Sequence, residues 1–568
     1  LKKKAASIFL ILAVALGVYW PSVHNGFVWD DTALILRDPF IRSWRLIPEG
    51  FRHFLFTDAT AADFYRPVQR MTYTFDYALF AFQPGGYHFT NILLHALTAV
   101  MLFLFLQEWI AQSESLRRFD PVPPALLASL LWVVHPLHTS AVVYISGRAD
   151  LLAAFFGFVG LYAGLHRRSG FAAVCFLAAM LSKESGVGFI AVWFLILVLR
   201  RVQIRRWLFI TLVIFLFYFG LRLPAEKVPP PVVTQVAAVS RPVLMARAFA
   251  EYAGLFLAPV NLHMERNLVA SAGGNPEVDS QRERFRVFQT ILGVILAAGF
   301  LIWVFYAGLN SQAVFFCLLA FLIAYLPISD LFVLNANVAE HWLYVPSAWL
   351  LAALLISLLP LNISRPALAL AFCCWFGFLG VRTRLRIPDW KDQKTFIQTT
   401  IADGGDSARM LINLGLIESS EGNPGNAATH FAEAMRRSPA QSLAILNMAS
   451  ARIRLHEFTE ARVLLQKALE MPAIRTEALL DMAALDFQEN HRMRLDLLAE
   501  AAHLSPSSWP VRKRYINALA QTGDLPGAIF EMRRLLEVQP YRAESWHLLG
   551  DLLVRIQQGG LASNAFAQ

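Results

Sequence analysis

Ionisable residues recur in this sequence where apolar stretches end, and these residues are the ones able to do chemistry. Asp30-Asp31 follow Trp29 just beyond the first apolar run. His135 and His138 stand at i and i+3 around Pro136, a spacing that suits a metal pair, phosphate donors or a mutually satisfied interfacial pair. Arg148 with Asp150, and Lys183 with Glu184, read either as ion pairs closing helix ends or as parts of a polar site, and Glu265-Arg266 and Glu340-His341 occupy equivalent places. His88, Asn91 and His95, at i, i+3 and i+7, share one helix face and read as packing polars between helices or as site residues. An ionisable group at the centre of a membrane helix costs about 2.5–3.5 kcal/mol on insertion scales, so a set gathered at one kind of segment end points to a polar cavity.

The elements that must position these residues are set by composition. Of 568 residues, 56% are hydrophobic and 16% charged, with the apolar runs concentrated in residues 1–385. That balance excludes an ordinary cytosolic enzyme and excludes disorder. A bilayer core takes about 20 helical residues. On that ruler eleven spans are expected, at about 5–22, 88–108, 125–143, 150–166, 170–182, 186–200, 207–223, 286–308, 312–328, 343–360 and 366–382, with 243–260 interfacial or re-entrant because it carries Arg247 and Glu251. No small-residue cleavage site follows the first run before Trp20-Pro21, so a retained anchor is expected; the chain opens on Leu rather than Met, so either its start lies upstream or it uses an unusual start codon. The four cysteines, Cys175, Cys317, Cys373 and Cys374, sit in apolar runs without metal-ligand spacing.

The formal net charge of +9 comes largely from short basic loops, a topological bias rather than a nucleic-acid signal. Lys2–Lys4, Arg117-Arg118, Arg167-Arg168, Arg200-Arg201, Arg205-Arg206 and Arg365 all fall on the inner side of the eleven-span count. The loops 23–87, 144–149, 183–185, 224–285 and 329–342 then face outward, as does the C-terminal region. All the acidic and histidine pairs above lie on that outer side, so Asp30, Asp31, His135 or His138, and Glu340 are expected to share one cavity. Arg382, Arg384, Arg386, Lys391 and Lys394 follow the last span on the same side, so either they bind something anionic or the tail lies inside.

Residues 386–406 read as a basic linker, and from 407 onward the chain repeats. Pro439, Pro472, Pro506 and Pro540 are spaced 33, 34 and 34 residues apart, each ending a helical pattern. A 34-residue period of paired helices closed by Pro is the tetratricopeptide (TPR) signature. Four repeats and a partial fifth are expected over 407–568. The fold class is therefore all-α, a polytopic transmembrane bundle followed by a TPR α-solenoid.

Several strings together resemble the multi-span, TPR-bearing O-mannosyltransferases and their bacterial relatives. They are Trp29-Asp30-Asp31, Tyr65-Arg66-Pro67, Gly86-Tyr87-His88-Phe89-Thr90-Asn91-Ile92-Leu93-Leu94-His95, His135-Pro136-Leu137-His138-Thr139-Ser140, Gly147-Arg148-Ala149-Asp150, Leu181-Ser182-Lys183-Glu184 and Ala339-Glu340-His341-Trp342-Leu343-Tyr344-Val345-Pro346-Ser347. The family usually carries Glu at Ser140 and Arg at His341. The resemblance implies a GT-C type glycosyltransferase taking sugar from a polyprenyl-phosphate carrier in the membrane, with or without a metal, and inverting the anomeric carbon. It implies Asp30 or Asp31 as the base for the acceptor hydroxyl. His135, His138, Arg148, Lys183 and His341 would meet the donor phosphate, supported by Tyr65, Arg66, His88, Asn91, Asp150, Glu184 and Glu340. It further implies a bacterial inner-membrane protein whose site and repeats face the periplasm, with a protein or peptide acceptor on the repeats. A non-catalytic scaffold and a glycan ligase are the alternatives.

Overall fold

The computed structural model describes residues 2–56, 64–225, 240–266, 268, 276–332, 334, 336–361, 364–405, 407–438 and 441–568. These form two compact units, the first ending at Gly405 and the second running to Gln568.

Among the described residues of the first unit the long apolar runs are helical. Among the described residues seven helices are long and apolar enough to cross a membrane, from Lys2–His24 to Pro366–Trp390, and the bent pair Val122–Val133 and Pro136–Val142 makes an eighth candidate. Ser169–Ser182, Glu184–Leu199 and Gln312–Ile328 are apolar but shorter, so length and composition support seven or eight spans where eleven were expected. The bend of 53° falls at His135-Pro136, where proline cannot donate to the helix ladder and the His135 side chain caps the new turn by accepting from the Leu137 N–H. Along Arg148–Leu165, Gly157, Gly160 and Gly164 leave room for the rings of Phe189, Phe176 and Trp193, each of which a Cβ would meet within 2.3–2.6 Å. That stripe of small residues lets neighbouring helices approach closely without a hydrophobic driving force between them. Arg205–Ala225, by contrast, leaves Leu208, Phe209, Leu212, Leu216 and Phe217 exposed, as a lipid-facing helix must.

The stretch 243–260 lies within and just beyond the helix Arg241–Leu257, whose Arg247 bonds Thr290 and the Leu268 carbonyl and whose Glu251 pairs with Arg266 at 2.6 Å. Both charges therefore have protein partners. Residues 386–406 are not a linker: Ile387–Trp390 is a 3₁₀ turn and Gln393–Ala402 an α-helix. Ile387, Trp390, Phe396 and Ile397 are all buried, an apolar content that the basic charge count masks. The basic stretch finds partners inside this unit as well. Arg382 donates to the Pro259 carbonyl, Arg384 to that of Gly17, and Arg386 pairs with Asp389.

The second unit is built of helix pairs. First helices begin at Ala408, Ser442, Arg475, Trp509 and Ala543, each followed by an antiparallel partner, the last being Gly559–Ala567. The expected partial fifth repeat is thus a full helix pair. Gly415 and Gly550 recur at equivalent positions because a ring of the partner helix, Phe431 or Phe566, occupies the space of a Cβ. Pro472, Pro506 and Pro540 follow the second helices, while Pro439 lies outside the described residues.

Candidate functional site

The two adjacent aspartates have different surroundings. Asp31 is fully buried and accepts three hydrogen bonds, from the Ser146 N–H (2.8 Å), the Ser146 hydroxyl (2.5 Å) and the Val28 N–H (3.1 Å). Burial pushes its carboxyl up to about 7, with those three bonds pulling in the other direction. Asp30 is only half-buried. Its N–H donates to the Tyr144 hydroxyl at 3.3 Å, and that hydroxyl in turn hydrogen-bonds the Asp30 side chain. Trp29, just before it, has φ +53°, a left-handed conformation that a bulky L-residue adopts only when its surroundings enforce it. Asp31 is thus the anchor of this loop, and Asp30 the carboxylate that keeps part of its surface exposed.

Arg148, expected at a donor phosphate, is a scaffold cation instead. It is fully buried, pairs with Asp76 at 2.5 Å, and donates to Asn91 Oδ1 (2.7 Å) and the Tyr87 carbonyl (2.9 Å). Asn91 spends its amide on the carbonyls of Val142, Tyr144 and Ile145, fixing the turn that carries Ser146. His88 is buried beside the backbone of Asn25 and Gly26.

His135 and His138 do not open to the expected cavity. Both are fully buried, His135 bonding the Phe256 carbonyl (2.9 Å) and His138 the Ser347 hydroxyl (3.1 Å). His95 joins them through Tyr344 (2.7 Å), and the Trp132 ring packs against His95 and His138. These histidines read as a packed aromatic core tied to other segments through one ring nitrogen of His135 and of His138 and both of His95, while His138 Nδ1 has no partner among the described residues. Ser140, where the family pattern carries Glu, is buried and donates to the Leu137 carbonyl.

A second polar cluster keeps cations near the surface. Lys183 donates to Asp150 at 2.6 Å, and Arg66 clasps Glu184 through two nitrogens at 3.2 and 3.1 Å. Glu184 also accepts from the Tyr65 N–H, and Arg222 stands 3.9 Å from it. His341 lies within electrostatic reach of Asp150, Lys183 and Arg66, and its Nδ1 has no hydrogen-bond partner among the described residues. Burial pulls Lys183 below the usual lysine range while Asp150 opposes the shift. Asp150 lies in the first turn of the helix Arg148–Leu165, four residues after Ser146, which holds Asp31.

Glu340 forms a third group. It is fully buried 3.8 Å from Arg386, beside the two-residue ladder that pairs Val338–Ala339 with Glu265–Arg266. The Glu265 side chain lies outside the described residues. Among the described residues no group of three or more His, Cys, Asp or Glu is arranged to hold a metal ion. The residues missed in the sequence are Tyr144, Ser146, Asp76 and Trp390. Tyr144 and Ser146 stand immediately before Gly147-Arg148 and could have been found there; Asp76 and Trp390 carry no local signal.

No family model matches the chain. Curated proteins do. Human protein O-mannosyl-transferase TMTC3 is 25% identical over 514 residues, covering 80% of this chain and 54% of its own length. The Caenorhabditis elegans protein O-mannosyl-transferase F38B6.6 is 24% identical over 455 residues, 76% of this chain and 63% of its own. Drosophila melanogaster Tmtc3 reaches 32% identity over 212 residues, 32% of this chain and 23% of its own. The chain spans about half the length of the TMTC3 proteins it matches. Among solved structures, YrrB, described as a TPR protein with an unusual peptide-binding site, aligns at 18% identity over 30% of this chain and 88% of its own with a TM-score of 0.21. That score carries no weight, and the repeat assignment rests on the helix pairs themselves.

Proposed function

We propose that this chain is a multi-pass membrane glycosyltransferase that moves a mannosyl group from a polyprenyl-phosphate carrier to a protein hydroxyl with inversion. The observation that carries this reading is a division of labour between two polar groups at helix ends. A half-buried carboxylate, Asp30, is aimed by Tyr144 and anchored through buried Asp31. In the other group, Lys183, Arg66 and His341 gather cationic and hydrogen-bonding capacity around Asp150 and Glu184.

In the reaction so read, the acceptor hydroxyl oxygen attacks the anomeric carbon as the bond from that carbon to the phosphate oxygen breaks. Asp30 takes the hydroxyl proton, so the nucleophile gains negative character only as the new glycosidic bond forms. The departing lipid phosphate carries the bonding electrons, and Lys183, Arg66 and His341 meet that charge. Mannose as the sugar and protein as the acceptor follow the names of the similar proteins. A lipid-linked donor is favoured by the membrane setting: a cation cluster at helix ends beside the lipid-facing helix Arg205–Ala225 can hold a phosphate whose tail stays in the bilayer. The TPR unit supplies an extended surface for a protein acceptor.

The test uses full-length protein in lipid nanodiscs with a serine- and threonine-containing acceptor and two labelled donors, mannosyl-phosphoryl polyprenol and a nucleotide-linked mannose. Label on a hydroxyl from the lipid donor alone, with inverted anomeric configuration, is expected. Transfer from the nucleotide sugar alone, or retention of configuration, overturns the reading.

A further inference from the structure

The segment 387–402 ends the membrane unit and belongs to none of the strings that resemble the transferases. Four contacts nevertheless fasten it around Asp30. The Gly26 N–H donates to the Lys391 carbonyl at 2.7 Å, and the Asn25 side-chain amide donates to that of Ile387 at 3.1 Å. Trp390 stacks on Tyr144 with ring centroids 5.5 Å apart and planes 29° apart. Phe396 packs between Trp390, at 4.6 Å, and the edge of Trp29, at 5.6 Å. An unbroken aromatic chain thus runs Tyr144–Trp390–Phe396–Trp29, and its two ends are the residues that bracket Asp30. Tyr144 holds the Asp30 main chain and side chain through one hydroxyl. Trp29 precedes it in the left-handed conformation.

We propose that Trp390 and Phe396 are positioning residues for Asp30, holding Tyr144 and Trp29 so that the carboxylate faces the reacting hydroxyl. The inference rests on the reading of Asp30 as the base. The geometry explains why Trp390 and Phe396 are 0% and 1% exposed in a stretch otherwise rich in charge. It also explains how the unfavourable left-handed backbone of Trp29 is kept: its ring is held by Phe396. Releasing either ring frees Tyr144 to rotate and Trp29 to relax to negative φ, which swings Asp30 without touching any substrate-binding group.

The experiment compares Trp390→Leu, Trp390→Phe and Tyr144→Phe with the parent, as full chains in nanodiscs supplied with labelled mannosyl-phosphoryl polyprenol. In Trp390→Leu, kcat should fall about ten- to a hundredfold while KM for the lipid donor stays within about threefold, because a misaimed base weakens the chemical step and not donor binding. Trp390→Phe, which restores a ring to stack, should recover most of kcat, and Tyr144→Phe should repeat the Trp390→Leu loss with a nearly isosteric change. In an Asp30→Asn background, Trp390→Leu should add nothing. Unchanged kcat in both Trp390→Leu and Tyr144→Phe, or full additivity with Asp30→Asn, overturns the inference. A cryo-EM map of Trp390→Leu separates this failure from failure of the base assignment. Displacement of the Tyr144 hydroxyl from Asp30 is expected, and an unmoved pair overturns the positioning role whether or not the parent transfers sugar.

Discussion

Asp31 provides a test in which stability and pH report on the same atoms. Its carboxylate is enclosed by three donors from Val28 and Ser146, and burial still outweighs them, raising it to about 7. The folded protein therefore holds the Asp31 proton more tightly than the unfolded chain does. By linkage, the stability from that proton is complete below about pH 4 and is lost as pH rises through about 7. A rise of that size corresponds to about 4 kcal/mol as an order of magnitude. Asp31→Asn is neutral at every pH and resembles the protonated acid. It should match the parent near pH 4 and exceed it in thermal stability at pH 8. Asp31→Ala should be less stable than Asp31→Asn throughout, because the Val28 and Ser146 N–H groups are left buried without acceptors, at about 1–3 kcal/mol each. Thermal unfolding in detergent from pH 4 to 8 measures both effects. If Asp31→Asn is destabilised more at pH 8 than at pH 4, the carboxylate is stabilising as an anion and the reasoning fails.

Lys183→Met should raise KM for labelled mannosyl-phosphoryl polyprenol about tenfold or more, with Lys183→Arg retaining part of the affinity, as initial rates against donor concentration will show. Arg148→Met should destabilise the membrane unit by about 3–5 kcal/mol by stranding buried Asp76, and detergent melting curves would show whether the pair is structural. A cysteine introduced at Gln441 should be labelled from outside by an impermeant maleimide in intact cells; labelling only after permeabilisation would place the repeats, and any acceptor they hold, on the inner side.

Local features of this chain were legible in its residues. The apolar run expected at 343–360 is the helix Tyr344–Leu358, and the run expected at 207–223 lies within the helix Arg205–Ala225, whose largely exposed apolar face makes it easy to read. The TPR period survives in sequence because each helix pair packs in the same way, with a small residue of the first helix facing the second, as Gly415 does for Phe431 and Gly550 for Phe566. Contacts across long separations were not legible. Asp30 and Asp31 are indistinguishable as a dipeptide, and only Ser146, 115 residues away, makes one of them the buried anchor. Arg148 looked like a phosphate ligand because its partner Asp76 sits within an amphipathic stretch that carries no motif. His135 and His138 flank the bend of a broken helix, and their sealed position depends on Phe256 and Ser347 arriving from elsewhere. The segment 387–402 passed for a linker because charge was counted while the positions of Ile387, Trp390 and Phe396 were not.

The base assignment rests on Asp30 alone, and single-turnover transfer from labelled mannosyl-phosphoryl polyprenol by Asp30→Asn tests it with one atom changed. Transfer should fall about 10²–10⁴-fold while donor binding and thermal stability stay near those of the parent. Near-normal transfer by Asp30→Asn, in a preparation where the parent is active, would contradict the assignment of Asp30 as the base.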